Sequence, residues 1–229
     1  MSGPDDRRRF LVVAASAGAT LVIGSAGAAE PAKVAKPADV NATEDLMREH
    51  GVLRRVLLVY DESVRRLQAG SGQPEVIASA AGIVKRFIEG YHEKLEEQFV
   101  FPKMQKVGKL TELVQILLAQ HVAGRKVTEE IIKNATAAGV ANAVGRQAII
   151  AGLQAFTRMY QPHAAREDTD LFPAYHELFT EKEFDELGDR FEEQEHKLLG
   201  SGGFEGAVKE VADLEKALGI SDLAQFTPR

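Results

Sequence analysis

The chain has 229 residues, 45% of them hydrophobic and 27% charged, a composition typical of folded domains with enough apolar material for one or two cores. Its net charge of −6, from 28 Lys and Arg against 34 Asp and Glu, offers no basic field for a phosphate backbone and argues against nucleic acid as a partner. The absence of Cys removes disulfides, thiolate metal sites, iron–sulfur clusters and cysteine nucleophiles, so any chemistry falls to His, carboxylates and hydroxyls, and the absence of Trp with 7% aromatics argues against a nucleotide-stacking surface.

At the N-terminus, Arg7, Arg8 and Arg9 precede an uncharged run from Phe10 to Ala29, and Ala26-Gly27-Ala28 offers an A-x-A cleavage site. This is the layout of an export signal, and Arg-Arg-Arg-Phe-Leu at 7–11 fits the twin-arginine pattern. The expectation is a Tat-type signal peptide over 1–28, handed to the twin-arginine export machinery, and a periplasmic mature protein with no stable membrane insertion. An uncleaved signal would instead tether the chain to the membrane. The segment removed carries a net +1, leaving the mature chain at −7. That route carries folded proteins, so a metal loaded in the cytoplasm is compatible with export.

Residues 29–42, with Pro31 and Pro37 and no periodicity, read as a flexible linker. From there the pattern is helical. Thr43 is expected to cap a first helix reaching Gln68, with Leu46, Leu53, Leu57 and Val64 as its apolar stripe. A second begins at Pro74, carries Val84, Ile88, Leu95 and Phe99, and is expected to end near Pro102. A third spans about Thr111 to Ala135 with Leu113, Leu117 and Ile131 inward, and a fourth starts at about Asn142 with Ile149, Leu153, Phe156 and Tyr160. The fold class expected is all-α, an up-down-up-down four-helix bundle. A fifth helix over roughly 181–199 completes a domain of 43–200, and a tail of 201–229 holds one short helix.

The six histidines are His50, His92, His121, His163, His176 and His196. An offset of 71 residues superimposes His50 on His121, Arg54 on Arg125, His92 on His163, Glu96 on Glu167 and Phe101-Pro102 on Phe172-Pro173. The chain therefore contains two copies of one helical hairpin. Each copy offers one His from its first helix and His-x3-Glu from its second, and residues four apart share a helix face. Four imidazoles and two carboxylates converge on the bundle centre if the hairpins pair about a pseudo-twofold axis. That is a dinuclear metal site, with Glu96 and Glu167 as expected bridges.

Glu93 is a seventh candidate, opposite Ala164 in the other copy, which makes the two metal positions inequivalent. Nitrogen and oxygen donors without sulfur suit Fe or Mn better than structural Zn, and seven ligands leave two octahedra with open positions for water, dioxygen or peroxide. Pro162, just before His163, is expected to kink its helix or induce a π-bulge. A regular helix presents Glu167, whereas a bulge could present Asp168. Paired His⁺–Glu⁻ bridges in a metal-free bundle are the competing structural account. His196 and the acidic run 181–195 read as a solvated face, as do Glu49 and Glu97. Tyr91 and Tyr160 read as core aromatics whose hydroxyls can donate to a ligand carboxylate.

These residues resemble the hemerythrin-like proteins with an HHE cation-binding domain. The likeness lies in Leu46-Met47-Arg48-Glu49-His50 with Leu53-Arg54-Arg55, in Tyr91-His92-Glu93-Lys94-Leu95-Glu96-Glu97, in Gln120 to Arg125, and in His163 to Pro173. It implies a four-helix bundle around a non-heme di-iron centre, oxo- and carboxylate-bridged, in a protein that binds dioxygen or nitric oxide, senses iron or oxygen, or decomposes peroxide. The sequence departs from the oxygen-carrier pattern at Arg125, where an imidazole is expected. With Glu93 as substitute, the ligand set becomes His50, His92, Glu93, Glu96, His121, His163 and Glu167, a harder site that favours Fe(III). The reading that follows is a periplasmic di-iron protein binding and reducing dioxygen or peroxide, with peroxidase, catalase-like or oxidase chemistry in view. A non-catalytic module that stores or senses iron, oxygen or nitric oxide is the alternative.

Overall fold

A computed structural model describes residues 40–228; the expected export signal and almost all of the linker lie outside them. Helix α1 is Ala42–Gln68, capped by Asn41, whose side chain accepts from the Glu44 amide at 2.9 Å. The cap thus sits two residues before the expected Thr43, whose hydroxyl instead donates to Asn41 Oδ1. Asn supplies a carbonyl at the reach an exposed amide of the first turn needs.

Helix α2 departs from the expected stop at Pro102. It runs as α-helix over Pro74–Ile83, as π-helix over Val84–His92, as one α turn over Glu93–Leu95, as π-helix again over Glu96–Val100, and as α-helix over Phe101–Val107. The Phe101 amide reaches back five residues to the Glu96 carbonyl. That wide turn brings the chain to Pro102 at the start of the next α segment, where its missing amide is tolerated. Gly108, at φ 71°, ends the helix.

Helix α3 is Thr111–Asn134 and the short α4 is Ala137–Ala141. Helix α5 begins at Ala143, capped by Asn142, stays α-helical to Arg166, passes through a π stretch over Glu167–Leu171 and finishes as Phe172–His176. The bulge expected at Pro162 is absent there. Pro162 lies on the exposed face of an α-helical stretch, where solvent can satisfy the carbonyl it leaves without a donor. The π turn comes after Arg166 instead and again precedes a Phe-Pro pair, Phe172 reaching back to the Glu167 carbonyl. In both copies of the repeat it starts at the expected bridging glutamate.

Helices α1, α2, α3 and α5 pack side by side into a closed four-helix bundle. Helices α6, Glu181–Leu199, and α7, Gly203–Ala217, both lie against α1 and α2, which is why α1 is buried over more than one stripe. Leu46, Leu53, Leu57, Ile88, Leu95, Leu117, Leu153 and Phe156 are all buried as expected; each contributes roughly 1.5–3 kcal/mol of transfer energy. Leu113 and Phe99 are only partly buried. Val114 takes the core position on α3, and Phe99 turns outward to pack on Phe191 of α6 at 5.4 Å. Among the described residues there is no strand, and no helix is long and apolar enough to cross a membrane.

Candidate metal centre

The four core helices bring six side chains to one level of the bundle: His50 from α1, His92 and Glu96 from α2, His121 from α3, and His163 and Glu167 from α5. None is more than 3% exposed. Their donor atoms form two overlapping groups of four, His50, His92, Glu96 and Glu167 in one, and His121, His163, Glu96 and Glu167 in the other. Both glutamates belong to both groups. The single α turn between the π stretches of α2 keeps the four-residue spacing of His92 and Glu96 intact.

Every imidazole is held from behind at Nδ1. His50 is bonded to Asp168 Oδ1 at 2.6 Å, His92 to Glu49 Oε2 at 2.6 Å, His121 to Glu97 Oε1 at 3.2 Å and His163 to Gln120 Oε1 at 2.9 Å. These oxygens only accept, so Nδ1 carries a proton, and each ring in its neutral form turns the Nε2 lone pair inward, the arrangement of metal-bound histidine. The supports obey the same 71-residue offset. Glu49 corresponds to Gln120, and Glu97 to Asp168; Arg54 grips Asp168 as Arg125 grips Glu97. Glu49 and Glu97 are therefore not solvated faces. Glu49 is 1% exposed, and the side chain of Glu97 turns toward His121. The repeat contained this signal, because the residue before each first-helix His and the residue after each shared Glu both recur as hydrogen-bond acceptors.

The inward-facing atoms crowd together. His50 Nε2 and His92 Nε2 lie 3.1 Å apart, His163 Nε2 is 3.1 Å from Glu167 Oε1, His50 Nε2 is 3.3 Å from Glu167 Oε2, and His121 Nε2 is 3.4 Å from Glu96 Oε2. Yet both oxygens of Glu96, both of Glu167, and His121 Nε2 are buried with no hydrogen-bond partner among the described residues. Donors about 2.1 Å from one ion and at right angles lie about 3.0 Å apart, so these atoms are spaced like ligands sharing an edge. Burial opposes protonation of His50, but Asp168 and Glu167 outweigh it and hold the ring up to about 9; Glu96 and Glu97 hold His121 up to about 10, also against burial. Burial pushes His92 down to about 4. Burial and the charge of Glu167 raise Glu96, whereas Glu167, despite burial, is kept below the usual carboxylate range by His163 and His50.

Glu93 does not join either group of four. Its oxygens accept from Tyr160 Oη at 2.6 Å and from Arg125 at 2.6 Å, so it stands behind His121 as part of an ion pair. A cation beside Glu93, Glu97 and His121 Nδ1 is already supplied by the Arg125 guanidinium. Glu167 rather than Asp168 faces the cluster, because the π turn starts only after the four-residue step from His163. Tyr160 donates to a carboxylate as expected, but the Tyr91 hydroxyl has no partner among the described residues. Gly124 makes Tyr160 possible: a Cβ there would come within 2.2 Å of the hydroxyl. His176 stacks on Phe184 and His196 is exposed beside Glu192; neither approaches the cluster.

Asp168→Ala removes the acceptor that orients His50 while leaving every cluster residue in place. Metal affinity at the His50/His92 position should fall 10- to 100-fold, about the usual cost of losing such a support. The His121/His163 position, held by Glu97 and Gln120, should change little. Stepwise metal titration resolves the two; equal weakening of both would sink the idea of independent supports.

A closed bundle of four helices with two hairpin-related halves, and a buried His/Glu cluster where they meet, defines a cation-binding helical protein. The chain belongs to the hemerythrin family: the hemerythrin HHE cation-binding domain matches residues 41–175. It is 43% identical over 231 aligned residues to uncharacterised proteins of Mycobacterium bovis and of two Mycobacterium tuberculosis strains, covering 97% of this chain and 91% of each relative. No solved structure matches it.

Proposed function

We propose that this is an exported non-heme di-iron protein that binds and reduces dioxygen or peroxide. The observation that carries the reading is the pair of four-donor groups sharing Glu96 and Glu167, whose oxygens have no hydrogen-bond partner among the described residues. His50 and His92 would hold one ion, His121 and His163 the other, with the two glutamates spanning both. Iron held this way would supply redox equivalents and positions for a small oxidant. The chain's own residues do the rest. Asp168, Glu49, Glu97 and Gln120 fix the four ring tautomers, Arg54 and Arg125 hold two of those supports, and Phe101 and Phe172 shield the rings of His121 and His50. Export through the twin-arginine route, signalled by Arg7 and Arg8, places the mature protein in the periplasm.

The test is the mature chain purified from the periplasm of a host with a working twin-arginine route after iron-replete growth. Two irons per chain and peroxide or dioxygen turnover well above free iron are the expected results, with an Arg7→Lys, Arg8→Lys chain retained inside the cell. Two irons without turnover would favour a storage or sensing module for iron, dioxygen or nitric oxide. Zinc or no metal would retire the redox reading.

A further inference from the structure

The two copies of the repeat differ at one place beside the cluster, where Glu93 of one corresponds to Ala164 of the other. On the first copy's side, Glu93 fills the space in front of Arg125. On the other, Ala164 stands in the corresponding position before Arg54 and leaves a cavity of about 280 Å³ between α1 and α5. Its floor is Tyr160 and Ala164, each 1% exposed, and its apolar wall includes Leu57. Leu58, 44% exposed, stands with Gln161 and Asp61 at a mouth open to solvent.

None of the six cluster side chains lines this cavity, so an occupant cannot ligate the cluster. It meets Tyr160 instead. That ring lies 5.1 Å from the His163 ring, and its hydroxyl is bonded to Glu93 against Arg125. The volume far exceeds the needs of dioxygen or peroxide and sits at the small end of organic-ligand pockets. Arg54, the one cation among the described residues lining it, is already paired with Asp168, so the cavity does not select an anion. The Gln161 amide and the Asp61 carboxylate can accept from hydroxyl groups, while the leucines suit an apolar ring.

Resting on the di-iron reading, we infer that this cavity binds a single-ring phenolic reductant of the hydroquinone class and that Tyr160 passes its electrons to the cluster. The donor loses two electrons and two protons to become a quinone. The electrons cross Tyr160 and His163, the protons leave through the mouth, and one peroxide takes up two electrons and two protons to give two waters. Tyr160 is a relay here, and the cavity is the donor's docking place.

The probe is p-hydroquinone, and metal content is measured first. Binding to both the loaded and the chelator-stripped wild-type chain is followed by ligand-observed NMR, and donor-driven reduction of the oxidised cluster by stopped-flow absorbance. Saturable binding of one molecule is expected with and without metal. Leu58→Trp and Gln161→Trp, which fill the mouth, should each weaken binding at least tenfold with metal content intact. Tyr160→Phe should bind as wild type yet reduce the cluster at least tenfold more slowly. An iron-loaded wild type with no saturable binding overturns the inference and leaves the di-iron reading standing. So does donor-driven reduction at wild-type rate in both Trp variants or in Tyr160→Phe. A wild type holding no iron overturns both.

Discussion

Glu96→Ala and Glu167→Ala should each empty the whole site, taking metal content from about two per chain to near zero, whereas His50→Ala should leave about one. The asymmetry follows from membership. Each glutamate belongs to both four-donor groups, while His50 belongs to one. Loss of a shared carboxylate would remove one of four protein donors from each ion at once and the negative charge that would offset the repulsion between two neighbouring cations. Loss of His50 leaves the His121/His163 position its full set and its own supports at Glu97 and Gln120. Elemental analysis of purified variants, with circular dichroism to confirm the bundle, reads the result directly. One metal retained in Glu96→Ala would show that this carboxylate serves a single ion, and the pseudo-twofold site would be wrong.

Stripping the metal should lower the melting temperature by about 8–16 °C, and in the stripped chain Glu96→Leu should raise it again. Ligand present at about a thousand times its dissociation constant contributes about 4 kcal/mol to the folded state, and each kcal/mol is about 2–4 °C for a chain of this size. Without a cation, Glu96 is a fully buried carboxylate whose two oxygens have no hydrogen-bond partner among the described residues, facing the like charge of Glu167. Burying such a group costs several kcal/mol, so an apolar side chain of similar volume relieves it. A bundle held by His–Glu salt bridges predicts the reverse sign, because Glu96→Leu would strip both His121 and His92 of a carboxylate within ion-pair distance. Differential scanning calorimetry on stripped wild type and variant separates the accounts; a lower melting temperature in stripped Glu96→Leu would favour the salt-bridged bundle.

Several features of the site were legible because helix geometry is local. A four-residue spacing puts His92 with Glu96 and His163 with Glu167 on one face, and the 71-residue offset implied that two such faces meet. Others were not, because they depend on turns that change the helix phase. Pro162 predicts a bulge, but its exposed position lets solvent absorb the lost hydrogen bond; the wide turns form at Glu96 and Glu167, ahead of Pro102 and Pro173. That placement made Glu167 face the cluster and Asp168 reach back to His50. Glu49 and Glu97 looked like ordinary charged residues since burial of α1 and α2 depends on helices far along the chain.

Sequence alone determined that this is an all-helical chain of two related hairpins carrying four histidines and two glutamates in register, because hydrophobic period, proline and glycine punctuation and ligand spacing are properties of the chain itself. Only the tertiary structure decided which residues hold the histidine rings, that Glu93 pairs with Arg125 and Tyr160 outside both four-donor groups, and that Ala164 leaves a cavity beside Tyr160. Those outcomes arise between helices. They depend on interhelical packing, on the phase set by the π turns and on a glycine at 124 close enough to admit a phenol, and none of these is encoded in the spacing along any one helix.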